Sequence, residues 1–214
     1  MNVDRREMLR YLGWRGQQID PATDEAMDRM SAKCLECARP KYTVRRFAFS
    51  DGVLEGSGFA PQGRDIARHL AGCREVYLFA ATLGAAIERE LDRTFAVSAR
   101  DGLLLDTAAS CAIESYCDEV CARLQSEMGK AFTARFSCGY GDFPLSSQRT
   151  ICALLRTDTA IGVCVDSGGS LVPRKSVTAL IGVRDGGKPF PFTKSDKCAR
   201  CANKTCAARG PEQK

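Results

Sequence analysis

The sequence predicts an α+β fold, strands and helices in irregular order rather than a regular doubly wound sheet. Three observations carry this. From Leu103 to Met128, the residues Leu105, Ala109, Ile113, Tyr116, Val120 and Leu124 recur at spacings of three or four, the mark of a long amphipathic helix. Two segments, 41–50 and 177–183, are rich in β-branched and aromatic residues, and Val76 to Ala81 is a short apolar run suited to a strand buried on both faces. Helices and strands then alternate irregularly, which argues against a regular doubly wound sheet.

The elements follow in order. Up to Ser31 the chain mixes charged and apolar residues in short helical patterns, with Leu9, Leu12 and Trp14 as a small anchor. Lys41 to Ser50 places Tyr42, Val44, Phe47 and Phe49 in near alternation and stops at Asp51-Gly52, a strand and its turn. Asp65 to Ala71 reads as a short helix closed by Gly72. After the Val76 strand, Thr82-Leu83-Gly84 turns into a helix that runs through Leu91. On the long helix, Asp106, Glu114, Asp118, Arg123 and Glu127 take the side opposite the apolar stripe. A loop from Phe132 to Pro144 leads to a helix carrying Ile151, Leu154 and Leu155. Ile161 to Val165 and Val177 to Val183 read as strands, linked through Gly168-Gly169 and Pro173. Turn formers from Gly186 to Phe192 mark a boundary, so residues 1–187 form the main domain and 188–214 a Cys-rich basic tail.

The 214 residues suffice for one sizeable core, and 44% apolar with 27% charged residues is the balance of a globular protein. No run approaches the roughly 20 apolar residues of a membrane span, and the first ten residues lack the apolar centre of a signal peptide. A cytoplasmic location follows as the expectation. Twelve cysteines then face a reducing pool and read as thiols, metal ligands or core residues. Cys111, Cys117 and Cys121 fall on or near the apolar face of the long helix and read as core. A net charge of +5 without a basic, aromatic-interleaved stripe disfavours nucleic acid as a partner.

The segment most suited to a ligand is 135–144. Gly139 and Gly141 let the main chain approach a bound molecule or take positive φ. Arg135 offers a planar fork of donors for a carboxylate, and Tyr140 offers a flat face and a hydroxyl. An amino acid carrying an aromatic base suits that set. An ordinary connection into the next helix, started by Asp142 and Pro144, is the plainer alternative.

The run Arg135, Gly139 and Tyr140 is preceded by a long helix and followed by Ile161-Gly162-Val163 and then by Pro173, Ser176, Val177 and Gly182. In this order the blocks resemble the activation domain of cobalamin-dependent methionine synthase, and the stretch from Gly139 to Gln148 is similar to its short stand-alone members. The resemblance extends from about Leu103 to Val183 and, more weakly, over Lys41 to Leu91. It implies a mixed or largely antiparallel curved sheet with flanking helices, and that Arg135, the main chain at Ser137, Gly139 and Tyr140 hold S-adenosylmethionine. It also implies that the module supports reductive remethylation of a corrinoid on a partner, a methionine synthase or a related corrinoid protein, with an electron donor and without turnover of its own. Position 138 is Cys where the family commonly has Pro, and the family's acidic partner for the ligand's amino group is not matched to a residue by sequence.

His69, the one histidine, sits in a partial copy of the Asp-x-His-x-x-Gly cobalt-ligating pattern, but position 67 is Ala. It therefore reads as a helix-surface residue, and the corrinoid is expected on the partner. In the tail, Cys198, Cys201 and Cys206 have the spacing of a metal knuckle for zinc or an iron–sulfur cluster, with Cys34 and Cys37 able to complete it. A small iron–sulfur or zinc protein acting as electron carrier or adaptor is the alternative function.

Overall fold

The computed structural model describes residues 1–184. Its sheet has five strands in the order β2-β1-β3-β7-β4, all antiparallel: β1 Lys41–Ser50, β2 Val53–Leu54, β3 Cys73–Thr82, β4 Ala131–Phe132 and β7 Ser176–Arg184. The register runs Lys41 opposite Thr82 between β1 and β3, and Thr82 opposite Ser176 between β3 and β7. A separate two-stranded ribbon joins β5, Cys164–Val165, to β6, Leu171–Val172.

β3 is central, and its alternation divides the core in two. Tyr77, Phe79 and Ala81 face one cluster, whereas Val76, Leu78 and Ala80 face the other. Helices cover both faces, so the strand reads as a continuous apolar run rather than as an alternating one. The first face is covered by α1 (Arg5–Tyr11), α2 (Pro21–Cys37), α4 (Ala85–Val97) and α5 (Ala99–Met128). The second carries α3 (Arg64–Leu70), α6 (Ser147–Leu155) and α7 (Thr157–Ile161).

The α+β class and the antiparallel sheet agree with the sequence, and four details do not. The N-terminal anchor is Met8, fully buried, while Trp14 is 41% exposed. The long helix starts at Ala99, because the Ser98 hydroxyl accepts the Asp101 N–H at 3.2 Å, and it stops at Gly129, whose φ of 61° suits a glycine. Ile161 ends α7 instead of opening a strand. Gly162 takes φ 73°, and the Thr157 hydroxyl donates to the Val163 carbonyl at 2.7 Å, so ladder pairing begins only at Cys164. Finally, Asp118 is not on a solvated side of α5 but buried.

Candidate functional site

After β4 the chain continues along the edge of β7 in an irregular strand. Thr133 N–H donates to the Gly182 carbonyl at 2.8 Å, and Phe136 and Leu180 exchange N–H···O bonds of 3.0 and 2.9 Å. Side chains alternate on such an edge. Phe136 packs toward α3 and α6, and Arg135 reaches to α5 on the opposite face.

The Arg135 guanidinium is enclosed by acids one helical turn apart. Nη1 donates to Asp118 Oδ1 at 2.6 Å, and Nη2 to Glu114 Oε2 at 2.8 Å. The Arg135 side chain is 5% exposed and that of Asp118 11%, whereas that of Glu114 is 34% exposed. Nη1 also donates to Cys121 Sγ at 3.8 Å, and burial pushes the neighbouring Cys117 thiol up, so Cys117 is a neutral packing partner. Two carboxylates engage two of the five guanidinium N–H groups. Sequence reading did not single out Glu114 and Asp118 as site residues. Their spacing of four on one helix, with an arginine entering the next glycine loop, was the available signal.

Ser137, Gly139 and Tyr140 follow on a tight loop. The Ser137 carbonyl accepts the Tyr140 N–H at 3.3 Å, and Gly139, at φ 84°, donates to the Phe143 carbonyl at 2.9 Å. Tyr140 is 67% exposed at the tip. Cys138 and Phe143 turn inward, and burial raises the Cys138 thiol to about 12, so position 138 belongs to the core. The structure therefore draws Arg135 back to α5 and presents Tyr140 outward, with the Ser137–Gly139 main chain between them.

A similar fold is found among solved structures. One of them is the crystal structure of the MetH reactivation domain bound to AdoHcy, with a TM-score of 0.56 and 15% identity, covering 80% of this chain. The fold is that of the MetH reactivation domain. This chain spans 66% of the length of that solved chain. No family model and no curated protein matches. Within this reactivation-domain fold, no described helix is long and apolar enough to cross a membrane.

His69 is partly buried rather than freely exposed on the helix surface. Its Nε2 lies 2.9 Å from both the Ala134 carbonyl and the Thr133 hydroxyl, and its ring is 5.0 Å from that of Phe136. Burial pulls its pKa below the ordinary 6.5; the Ala134 bond opposes this, and the Arg184 charge adds to it. Above pH 6.5 the ring is neutral in folded and unfolded chains alike. As pH falls below that value the unfolded chain takes the proton first, so stability is lost until the folded pKa is passed. Denaturant titrations at pH 7.5 and 5.5 should show a loss in wild type that His69→Gln reduces. An equal loss in both proteins counts against this assignment.

Cys198, Cys201 and Cys206 lie outside the described residues. Cys34 is fully buried in the core with its thiol raised by burial to about 12, and Cys37 is partly buried. Cys111, Cys117 and Cys121 are core residues, as their helical positions predicted. Among the described residues no group of three His, Cys, Asp or Glu side chains is placed to hold a metal ion.

Proposed function

We propose that this chain binds S-adenosylmethionine and serves as a cytoplasmic reactivation module for a separate corrinoid protein, a cobalamin-dependent methionine synthase or a relative of it. The observation that carries the reading is the Arg135–Glu114 pair at the sheet edge, next to a glycine loop with an outward tyrosine. An amino-acid head group is a zwitterion and needs a cation and an anion side by side. Arg135 keeps N–H groups beyond the two given to carboxylates, which suit the ligand carboxylate, and partly exposed Glu114 suits the ammonium. The AdoHcy bound to the domain of like fold has the same amino-acid head group and adenosine as S-adenosylmethionine and lacks only the methyl on sulfur.

The module's contribution is positioning. Arg135 and Glu114 would hold the head group and the Ser137–Tyr140 loop the base, which would leave the sulfonium methyl free of the protein's grip. S-adenosylmethionine would supply a methyl group to the partner's reduced corrinoid and leave as S-adenosylhomocysteine, with the electron coming from an external donor. The tail, 188–214, is proposed as a separable segment whose Cys198, Cys201 and Cys206 take zinc or an iron–sulfur cluster. Metal analysis of anaerobically purified protein tests that part, and three serine variants with equal loss of metal are the expected result.

Glu114→Gln tests the head-group site. The amide keeps the size and an acceptor for Arg135, while Asp118 still balances the guanidinium. Calorimetric titration should show S-adenosylmethionine binding weakened by about tenfold or more, the scale of one charge-assisted hydrogen bond. The melting temperature should change little. Unaltered affinity would remove Glu114 from the site, and no binding by wild type, with or without a corrinoid partner, would refute the functional reading.

A further inference from the structure

α3 holds the site segment at both of its ends. At the first, His69 Nε2 meets the carbonyl of Ala134, the residue before Arg135, at 2.9 Å. At the second, the Asp142 carboxylate accepts the main-chain N–H groups of Arg64 and Asp65, the opening residues of α3, at 2.8 and 2.9 Å. These two bonds are what hold the Asp142 carboxyl below its ordinary range. The loops interlock through glycines on both sides. A Cβ at Gly63 would lie 2.7 Å from the Asp142 carboxylate and 2.8 Å from its carbonyl oxygen, and a Cβ at Gly141 would run into the Asp65 carboxylate. Both glycines also have positive φ, 127° and 56°. Arg135, Ser137, Gly139 and Tyr140 all lie between the two attachments.

We propose that α3 is a strut that fixes the separation between Arg135 and Tyr140, with His69 and Asp142 as positioning residues for S-adenosylmethionine. This rests on the ligand reading above. A ligand grasped at its amino-acid head and at its base needs both grips at a set distance. A span held before binding spares the ligand the cost of ordering the loop. Asp142 reaches 77 and 78 residues back along the chain to do this, so its bonds serve the tertiary placement of the loop rather than local turn geometry.

The test combines ligand titration with hydrogen exchange on the full chain. Asp142→Ala should weaken S-adenosylmethionine binding by at least about tenfold, the scale of losing a charged acceptor. In a Tyr140→Ala background the same change should add little, because the loop it positions no longer contributes. Without ligand, exchange at the Gly139 and Phe143 amides should quicken in Asp142→Ala. His69→Ala should weaken binding as well, and His69→Gln, which keeps a side-chain N–H for Ala134, should recover most of the loss. If Asp142→Ala binds as wild type does, or loses the same factor with and without Tyr140, the strut is overturned while the ligand reading stands. A wild type that binds no S-adenosylmethionine overturns both.

Discussion

Arg135→Ala is expected to destabilise the fold by about 3–5 kcal/mol, besides abolishing the head-group grip, because it leaves a buried carboxylate without its cation. Asp118, 11% exposed, loses its 2.6 Å partner, and Glu114 one turn away becomes a like-charge neighbour. In a domain of this size the melting temperature should fall by on the order of 10 °C. Ligand affinity should fall by roughly 2–5 kcal/mol, the penalty for truncating one side of a buried charge pair. Sequence alone presents Arg135 as an anchor for a carboxylate, and its burial between two acids adds the stability term. Arg135→Lys keeps a charge but not the fork that spans both carboxylates, so it should recover part of each effect. The separation of the two effects comes from Arg135→Met combined with Glu114→Gln and Asp118→Asn. Removing all three charges together should restore most of the stability and none of the binding. Melts and calorimetry on the three proteins check this. A triple variant that binds S-adenosylmethionine normally would show that the ligand lies elsewhere.

What was legible in the chain is what local patterns can encode. β3 was visible because both of its faces are buried, which leaves a bare apolar run, and α5 because its stripe persists for many turns. Asp118 was misplaced because a helical wheel assigns acids to water, whereas its real partner enters from a strand 17 residues on. The strand expected from Ile161 failed for a related reason. An apolar run ending in Val163 is the same on paper whether it closes a short helix or opens a strand, and the Thr157–Val163 bond decides it. The edge pairing of Thr133 and Phe136 with β7 joins residues more than forty apart, and no local signal marks it. The stretch Gly139–Gln148 carries the family resemblance, yet two of its polar side chains tie the molecule together. Asp142 caps α3, and the Gln148 amide donates to the Gly169 carbonyl at 2.7 Å while accepting from Thr178 at 3.1 Å.

Phe143 is the apolar member of that tie, and Phe143→Ala is expected to destabilise by about 3–5 kcal/mol, the range for emptying a large buried aromatic site. The side chain is 1% exposed and lies in the cluster formed by Phe136, Ile151 and Leu180, with its ring 6.3 Å from that of Phe136. Its main chain closes the loop, since the carbonyl accepts from Gly139 at 2.9 Å and the N–H donates to Tyr140 at 3.1 Å. An alanine here leaves a void under the loop that α3 and α6 cannot fill without moving Asp142 off its two N–H donors. Ligand affinity should therefore fall together with stability, unlike in Glu114→Gln, where only affinity changes. Phe143→Leu retains most of the volume and should cost about 1 kcal/mol. Chemical denaturation of both variants, read beside S-adenosylmethionine titration, provides the check. If Phe143→Ala melts as wild type does, the side chain is not seated in the core and the loop is held by its polar contacts alone.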